Sequence, residues 1–222
     1  MTATGVDDPV LRVDGTEPVS SAAVEALLGI CDRAATGTGP LIVYAAGAPR
    51  PGWTRELDVG LLTKWERAVR RLEHLDLLTV GVAAGECGGT ALDVLLATDV
   101  RIAVAGARLV VSSSGDATWP GMALYRLARQ GAGRRLRRAG LLGTPIGAEQ
   151  ALAAGLVDVV VDRPDEVLAE VTAVAGTVAG AELAIRRRLL LDAPGHSFEE
   201  ALGSHLAACD RALRRVVASA GT

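Results

Sequence analysis

The chain has 222 residues, half of them hydrophobic but only 3% aromatic, and a formal net charge of −3. That length suits one main core with at most a short helical appendage, and a core of Ala, Val and Leu implies close packing of helices on a sheet. With no basic excess and with arginines interspersed among acids there is no electrostatic footprint for nucleic acid. The local run Arg134, Arg135, Arg137 and Arg138 reads first as a solvated helix face, and otherwise as a face for a phosphate or an acidic partner.

In chain order, Val10 to Asp14 reads as a short strand. A helix from Ser20 to Ala35 follows, with Val24, Leu27, Leu28 and Cys31 at helical spacing, ended by Gly37, Gly39 and Pro40. Leu41 to Ala46 (LIVYAA) is apolar at every position, the pattern of a strand buried on both faces. Pro49 and Pro51 lack backbone donors, so Gly47 to Leu57 is a loop rather than more sheet. An amphipathic helix is predicted over Val59 to Leu75 and a second buried strand over Leu78 to Ala84.

Gly85 to Asp99 turns from that strand into a helix through paired glycines and runs directly into the strand Val100 to Val104. After Arg108 to Val111 come a polar turn, Ser112 to Asp116, and a helical stretch from Gly121 to Ala139. Ile146 to Ala154 fits a short helix, Leu156 to Val161 a strand, and Asp165 to Leu191 one or two helices interrupted by Gly176 and Gly180. Pro194 and Gly195 break the chain before a last helix, Ser197 to Ala220. There Ser197 and Glu200 form a capping-box candidate, and Leu202, Leu206, Leu213 and Val217 make an apolar stripe that wants a partner surface.

Cys31, Cys87 and Cys209 are too few and too scattered for a disulfide framework or a metal site, and suit a reducing cytoplasm. The start, MTATGVDDPV, is unlike a signal peptide, and no uninterrupted apolar stretch reaches the ~18 residues of a membrane span. The expectation is a cytoplasmic protein without metal, nucleic acid or membrane partners.

The strongest chemical signal lies between Val82 and Leu96. Glycines opening a helix leave backbone amides that can donate to an oxyanion, although a tight turn for close packing has the same look. The surrounding strings, TVGVAAGECGGTALDVLLATDVRIA, WPGMALYRLARQ and GTPIGAEQALAAGLVDVVV, resemble in order those of the crotonase (enoyl-CoA hydratase/isomerase) superfamily, over about residues 41 to 162. The third, with Ala148, Glu149, Ala151 and Gly155-Leu156-Val157, is the most specific. Thr98 and Asp99 stand where the family often has Cys and Asp.

The resemblance implies an α/β fold, a crotonase-like ββα spiral over residues 1–162 followed by a helical trimerisation region over 163–222. It implies an acyl-CoA thioester as substrate, with no cofactor besides the CoA that the substrate carries. It also implies two backbone amides around the thioester oxygen, one at Gly89 or Thr90 after Gly88, the other in the loop after LIVYAA, where counting from the strand arrives at Arg55 beside Leu57. The family's S-A-G-A-D signature is absent from that loop.

Hydratases of the family use two glutamates. Asp93 stands at the first position, as a shorter acid/base or as a helix-dipole partner, and Glu86 is a spare. The second position falls on Ser113, whose hydroxyl cannot serve as a base. Asp116 is near enough to stand in, or caps its turn. Arg50, Arg55 and Lys64 lie where the family holds CoA phosphates, or are plain surface charge. His74, His196 and His205 are scattered, with His74 reading as a helix C-terminal partner.

Within the superfamily the chain is similar to the B-component hydratase homologues of dihydroxyphenylglycine biosynthesis. That similarity implies a homotrimer or hexamer acting with a type III polyketide synthase and a second crotonase homologue. It implies loss of water on the way to 3,5-dihydroxyphenylacetyl-CoA. Two classes stay open on the sequence: an enzyme using Asp93, or a catalytically weak scaffold that binds acyl-CoA and stimulates a partner enzyme.

Overall fold

A computed structural model describes residues 9–37, 39–131, 134–178 and 180–220, without the side chains of residues 134, 135 and 217–220. Arg134, Arg135 and Val217 of the expectations above therefore lie outside the described side chains. Nine strands and nine α-helices follow one another among these residues. They are β1 (Val10–Asp14), α1 (Ser21–Ala35), β2 (Leu41–Gly47), α2 (Val59–Glu73), β3 (Thr79–Gly88), α3 (Thr90–Leu95), β4 (Val100–Val104) and β5 (Arg108–Val110). Then come β6 (Ser113–Ser114), β7 (Ala117–Thr118), α4 (Met122–Gln130), α5 (Arg134–Leu142), β8 (Ile146–Gly147), α6 (Ala148–Ala153), β9 (Val159–Val161), α7 (Asp165–Ala175), α8 (Gly180–Asp192) and α9 (Phe198–Ala220).

Strands β1, β2, β3, β4 and β9 lie side by side and parallel, so each pair needs a crossover; helices α1, α2 and α3 supply the first three, and the long segment through α4, α5 and α6 supplies the last. The apolar run of β2 is explained by cover on both sides. Leu41 and Val43 pack under α1 and α2 with Trp65, Val69 and Leu72, while Ile42 faces away, toward Val80, Ile102 and the α7 residues Val167, Leu168 and Val171. Leu41, Leu72 and Leu95 are fully buried, and each such side chain contributes roughly 2 kcal/mol.

The strand expected to stop at Ala84 continues to Gly88. Gly85 has a φ of 59°, a left-handed value that costs glycine nothing, and there β3 bends and changes partner. Before it, Val80 to Ala83 pair with β4; after it, Glu86 to Gly88 pair with β5. A composition that reads as a turn is here a kink inside a strand, since the ladder resumes on a new neighbour. The helical stretch predicted over Gly121 to Ala139 is two helices, α4 and α5, and Ile146 starts with a strand residue pairing with Leu109 before α6 begins.

The C-terminal helices differ from the spiral in exposure. α7 buries no residue fully and α8 only Glu182, whose carboxylate accepts from Arg211 and pairs with Arg215 of α9. Arg187 anchors α8 to the sheet by donating to Asp99 and to the carbonyls of Leu75 and Leu77. The Ser197 capping box is present: the Ser197 amide donates to Glu200 Oε2 at 2.8 Å and the Glu200 amide to Ser197 Oγ at 3.3 Å. The α9 stripe is left open on the single chain, with Leu206 58% and Leu213 67% exposed.

Candidate active site

The parallel strands β1, β2 and β3 end together, and their closeness demands glycine. A Cβ at Gly15 would lie 2.3 Å from the carbonyl oxygens of both Gly47 and Gly88. Gly89, with φ 53° and ψ −131°, turns β3 into α3, and a Cβ there would meet Pro49 Cγ at 2.5 Å. The loop after β2 thus packs directly on the turn before α3. Both border one cavity of about 760 Å³ at the carboxyl ends of these strands, where ligands of open α/β sheets are usually held.

The sequence-derived candidates divide. Gly89, Thr90 and Asp93 line the cavity, and Gly88 lies buried behind it against Ala48. The Gly89 amide donates to Ser112 Oγ at 3.0 Å, while the Thr90 hydroxyl turns back toward the carbonyls of Asp14 and Glu17. Arg55 lies off the cavity lining, and its amide donates to the Gly52 carbonyl at 3.2 Å, where the loop closes into a turn. The residue of that loop that reaches the cavity is Trp53. Its indole donates to the Ser113 carbonyl at 2.9 Å and stands edge-on to Trp119, with ring centres 5.2 Å apart.

Ser113 and Asp116 also lie off the cavity lining. They belong to the exposed β6–β7 hairpin, and Ser112, one residue earlier, is the serine on the cavity wall. Arg50 and Leu57 also lie off the cavity, Arg50 exposed near Asp14 and Leu57 packed on the core under α1 and α2. Glu86 pairs with Arg108 at the surface, Lys64 lies in a separate groove between α1 and α2, and His74 is the C-cap of α2.

Facing α3 across the cavity is a charged cluster. Arg126 of α4, 4% exposed, donates to Glu73 Oε1 at 2.7 Å and Glu66 Oε2 at 3.0 Å, and Arg70 pairs with Glu73 at 3.1 Å. Trp65 Nε1 donates to Asp93 Oδ2 at 2.9 Å, tying α2 to α3. Burial, with the Glu66 charge adding to it, pushes the Asp93 carboxyl up to about 7, against the Trp65 hydrogen bond and the Arg126 charge. Burial likewise raises Glu66, opposed by Arg126. The neutral form of Asp93 is thus favoured well above the usual carboxylate range, which suits a group that gives a proton to a ligand.

The enoyl-CoA hydratase/isomerase family model matches residues 38–218. The chain belongs to that family. A protein of Amycolatopsis orientalis named enoyl-CoA hydratase is 53% identical over 212 residues, covering 95% of this chain and 98% of the relative. Among solved structures, a Pseudomonas aeruginosa protein aligns with a TM-score of 0.75 at 26% identity, over 93% of this chain and 99% of its own. An enoyl-CoA hydratase/isomerase family protein of Silicibacter pomeroyi aligns with a TM-score of 0.78 at 18% identity, over 95% and 97%. The crotonase α/β fold is thereby established for this chain, and with it an enzyme of the enoyl-CoA hydratase/isomerase type.

For this enoyl-CoA hydratase homologue, sequence reasoning missed Trp65, Glu66, Glu73 and Arg126. A signal existed: Glu66, Arg70 and Glu73 recur at helical spacing on one side of α2. Such a row ordinarily faces water, and only the placement of α4 turns part of it inward.

Proposed function

We propose that this enzyme removes water from a β-hydroxyacyl-CoA whose acyl group is a ring-forming polyketide, toward 3,5-dihydroxyphenylacetyl-CoA, alongside a type III polyketide synthase and a second crotonase homologue. The observation that carries the reading is where the scarce aromatic residues lie: four of the six in the chain, Trp53, Trp65, Trp119 and Tyr125, line the cavity around Asp93. Flat indole and phenol faces favour a flat, conjugated acyl group over a flexible alkyl chain. In this reading the Thr90 amide receives the thioester oxygen. Asp93 protonates the departing hydroxyl, and formation of an aromatic ring makes the elimination strongly downhill. The test is product yield with the synthase present. The isolated enzyme should raise the yield of 3,5-dihydroxyphenylacetyl-CoA, Asp93→Asn should lower its contribution roughly 100-fold, and an unchanged yield on adding wild-type protein would overturn the reading.

Assembly into trimers or hexamers belongs to the same proposal, supported by the open apolar stripe of α9. A particle of 22.8 kDa by light scattering would sink it. The scaffold reading is favoured by one observation, that Ser113 and Asp116 sit on an exposed hairpin away from the cavity. Stimulation of the synthase undiminished in Asp93→Asn would establish it.

A further inference from the structure

We infer that Glu66 is the second acid/base of this site, contributed by α2 in place of a carboxylate from the turn after β5. The inference rests on the dehydration reading. Glu66 and Asp93 line one cavity from two helices, and their relative position is held by the intervening hydrogen bond from Trp65, the residue next to Glu66, to Asp93. Only Oε2 of Glu66 is engaged, by Arg126; Oε1 has no hydrogen-bond partner among the described residues, on a side chain still 27% exposed at the cavity.

A bare counter-ion role explains Glu66 less well. Arg126 already has a closer and more buried partner in Glu73, at 2.7 Å, and Glu73 is further neutralised by Arg70. The groups facing the pair are Arg126 from α4 and Arg67, Arg70 and Glu73 from α2 itself. Within the bonded cluster, two guanidinium charges balance Glu66 and Glu73, so an ionised Asp93 adds an uncompensated negative charge and its neutral form is favoured. The rise of Asp93 to about 7 has this sense. A carboxylate paired with a guanidinium beside a second one whose neutral form is favoured is the arrangement that base and acid roles require.

The step then runs as follows. The Glu66 carboxylate takes a proton from the α-carbon, and the C–H electron pair moves onto the thioester oxygen. That pair returns to form the α,β double bond while the bond from the β-carbon to oxygen breaks, and the Asp93 proton leaves with the hydroxyl as water. Glu66 has gained one proton and Asp93 has lost one; transfer through the released water restores both. No oxidant or reductant enters.

Exchange of the α-proton of 3-hydroxy-3-phenylpropionyl-CoA, a β-hydroxy thioester with a flat acyl group, in deuterated water isolates the base from the elimination. Wild type should exchange, and Asp93→Asn should still exchange while losing elimination. Glu66→Gln, the same size and still able to accept from Arg126, should lose both by about 100-fold, with CoA-thioester affinity and melting temperature showing that it is folded. Glu66→Asp should recover part of the exchange, which a counter-ion role alone does not predict. Exchange in Glu66→Gln within a few-fold of wild type, or none in wild type, overturns the assignment. Exchange by wild type without elimination sinks the dehydration reading and leaves Glu66 as the base.

Discussion

The two walls of the cavity are made on different principles. The α3 wall is backbone: Gly15, Gly88 and Gly89 let three strand ends and a loop approach so closely that a single methyl group at Gly89 would collide with Pro49. The α2 wall is charge, in which two carboxylates and two guanidinium groups satisfy one another with Arg126 almost wholly buried. The first tolerates no added volume and the second no removed charge. Asp93, on the first wall, is tuned by the second, through the Glu66 charge and the Trp65 hydrogen bond.

Breaking the charged wall should have the largest effect on stability. Arg126→Leu leaves Glu66 without a partner and Glu73 with Arg70 alone, and should cost about 3 kcal/mol in urea unfolding, with Glu73→Gln in the same chain recovering part of it. A loss below about 1 kcal/mol would mean that the cluster is solvated. Gly89→Ala probes the other wall. The collision together with a backbone conformation reserved for glycine predicts a loss of about 2 kcal/mol or more.

Asp93→Asn joins the two in a pH-dependent way. An unfolded aspartate ionises near 3.8 and the folded one at about 7, so the folded state bears no penalty below 3.8. It loses stability progressively as pH rises to 7, and the loss is complete above that. Asn cannot ionise, so the variant should gain on wild type by about 2 kcal/mol between pH 5 and 8, a relative rise of several degrees in melting temperature. A pH-independent difference would break the link between burial and the Asp93 proton. The smallest effect is expected for Trp65→Phe. It removes the hydrogen bond that favours ionised Asp93, so activity that needs the protonated acid should persist to slightly higher pH, with the alkaline limb of the rate profile moving up by a fraction of a unit.

Much of this was legible in the amino acids alone. Apolar runs such as LIVYAA mark strands covered on both faces, Ser197 with Glu200 caps α9, and the paired glycines before Thr90 locate the α3 wall, because each of these is a local demand of backbone geometry or hydrogen bonding. The position of Asp93 followed from the same string. Tertiary structure decided what local rules cannot. It turned Gly85 into a kink within a strand, since a ladder partner on the far side was available in β5. It closed the loop amide of Arg55 on Gly52 and brought Trp53 to the cavity in its place. Above all, it set Glu66 and Glu73 against the buried Arg126, 60 and 53 positions along the chain. A charged row on a helix is the same in sequence whether it meets water or another helix, and only packing decides which of its members become chemistry.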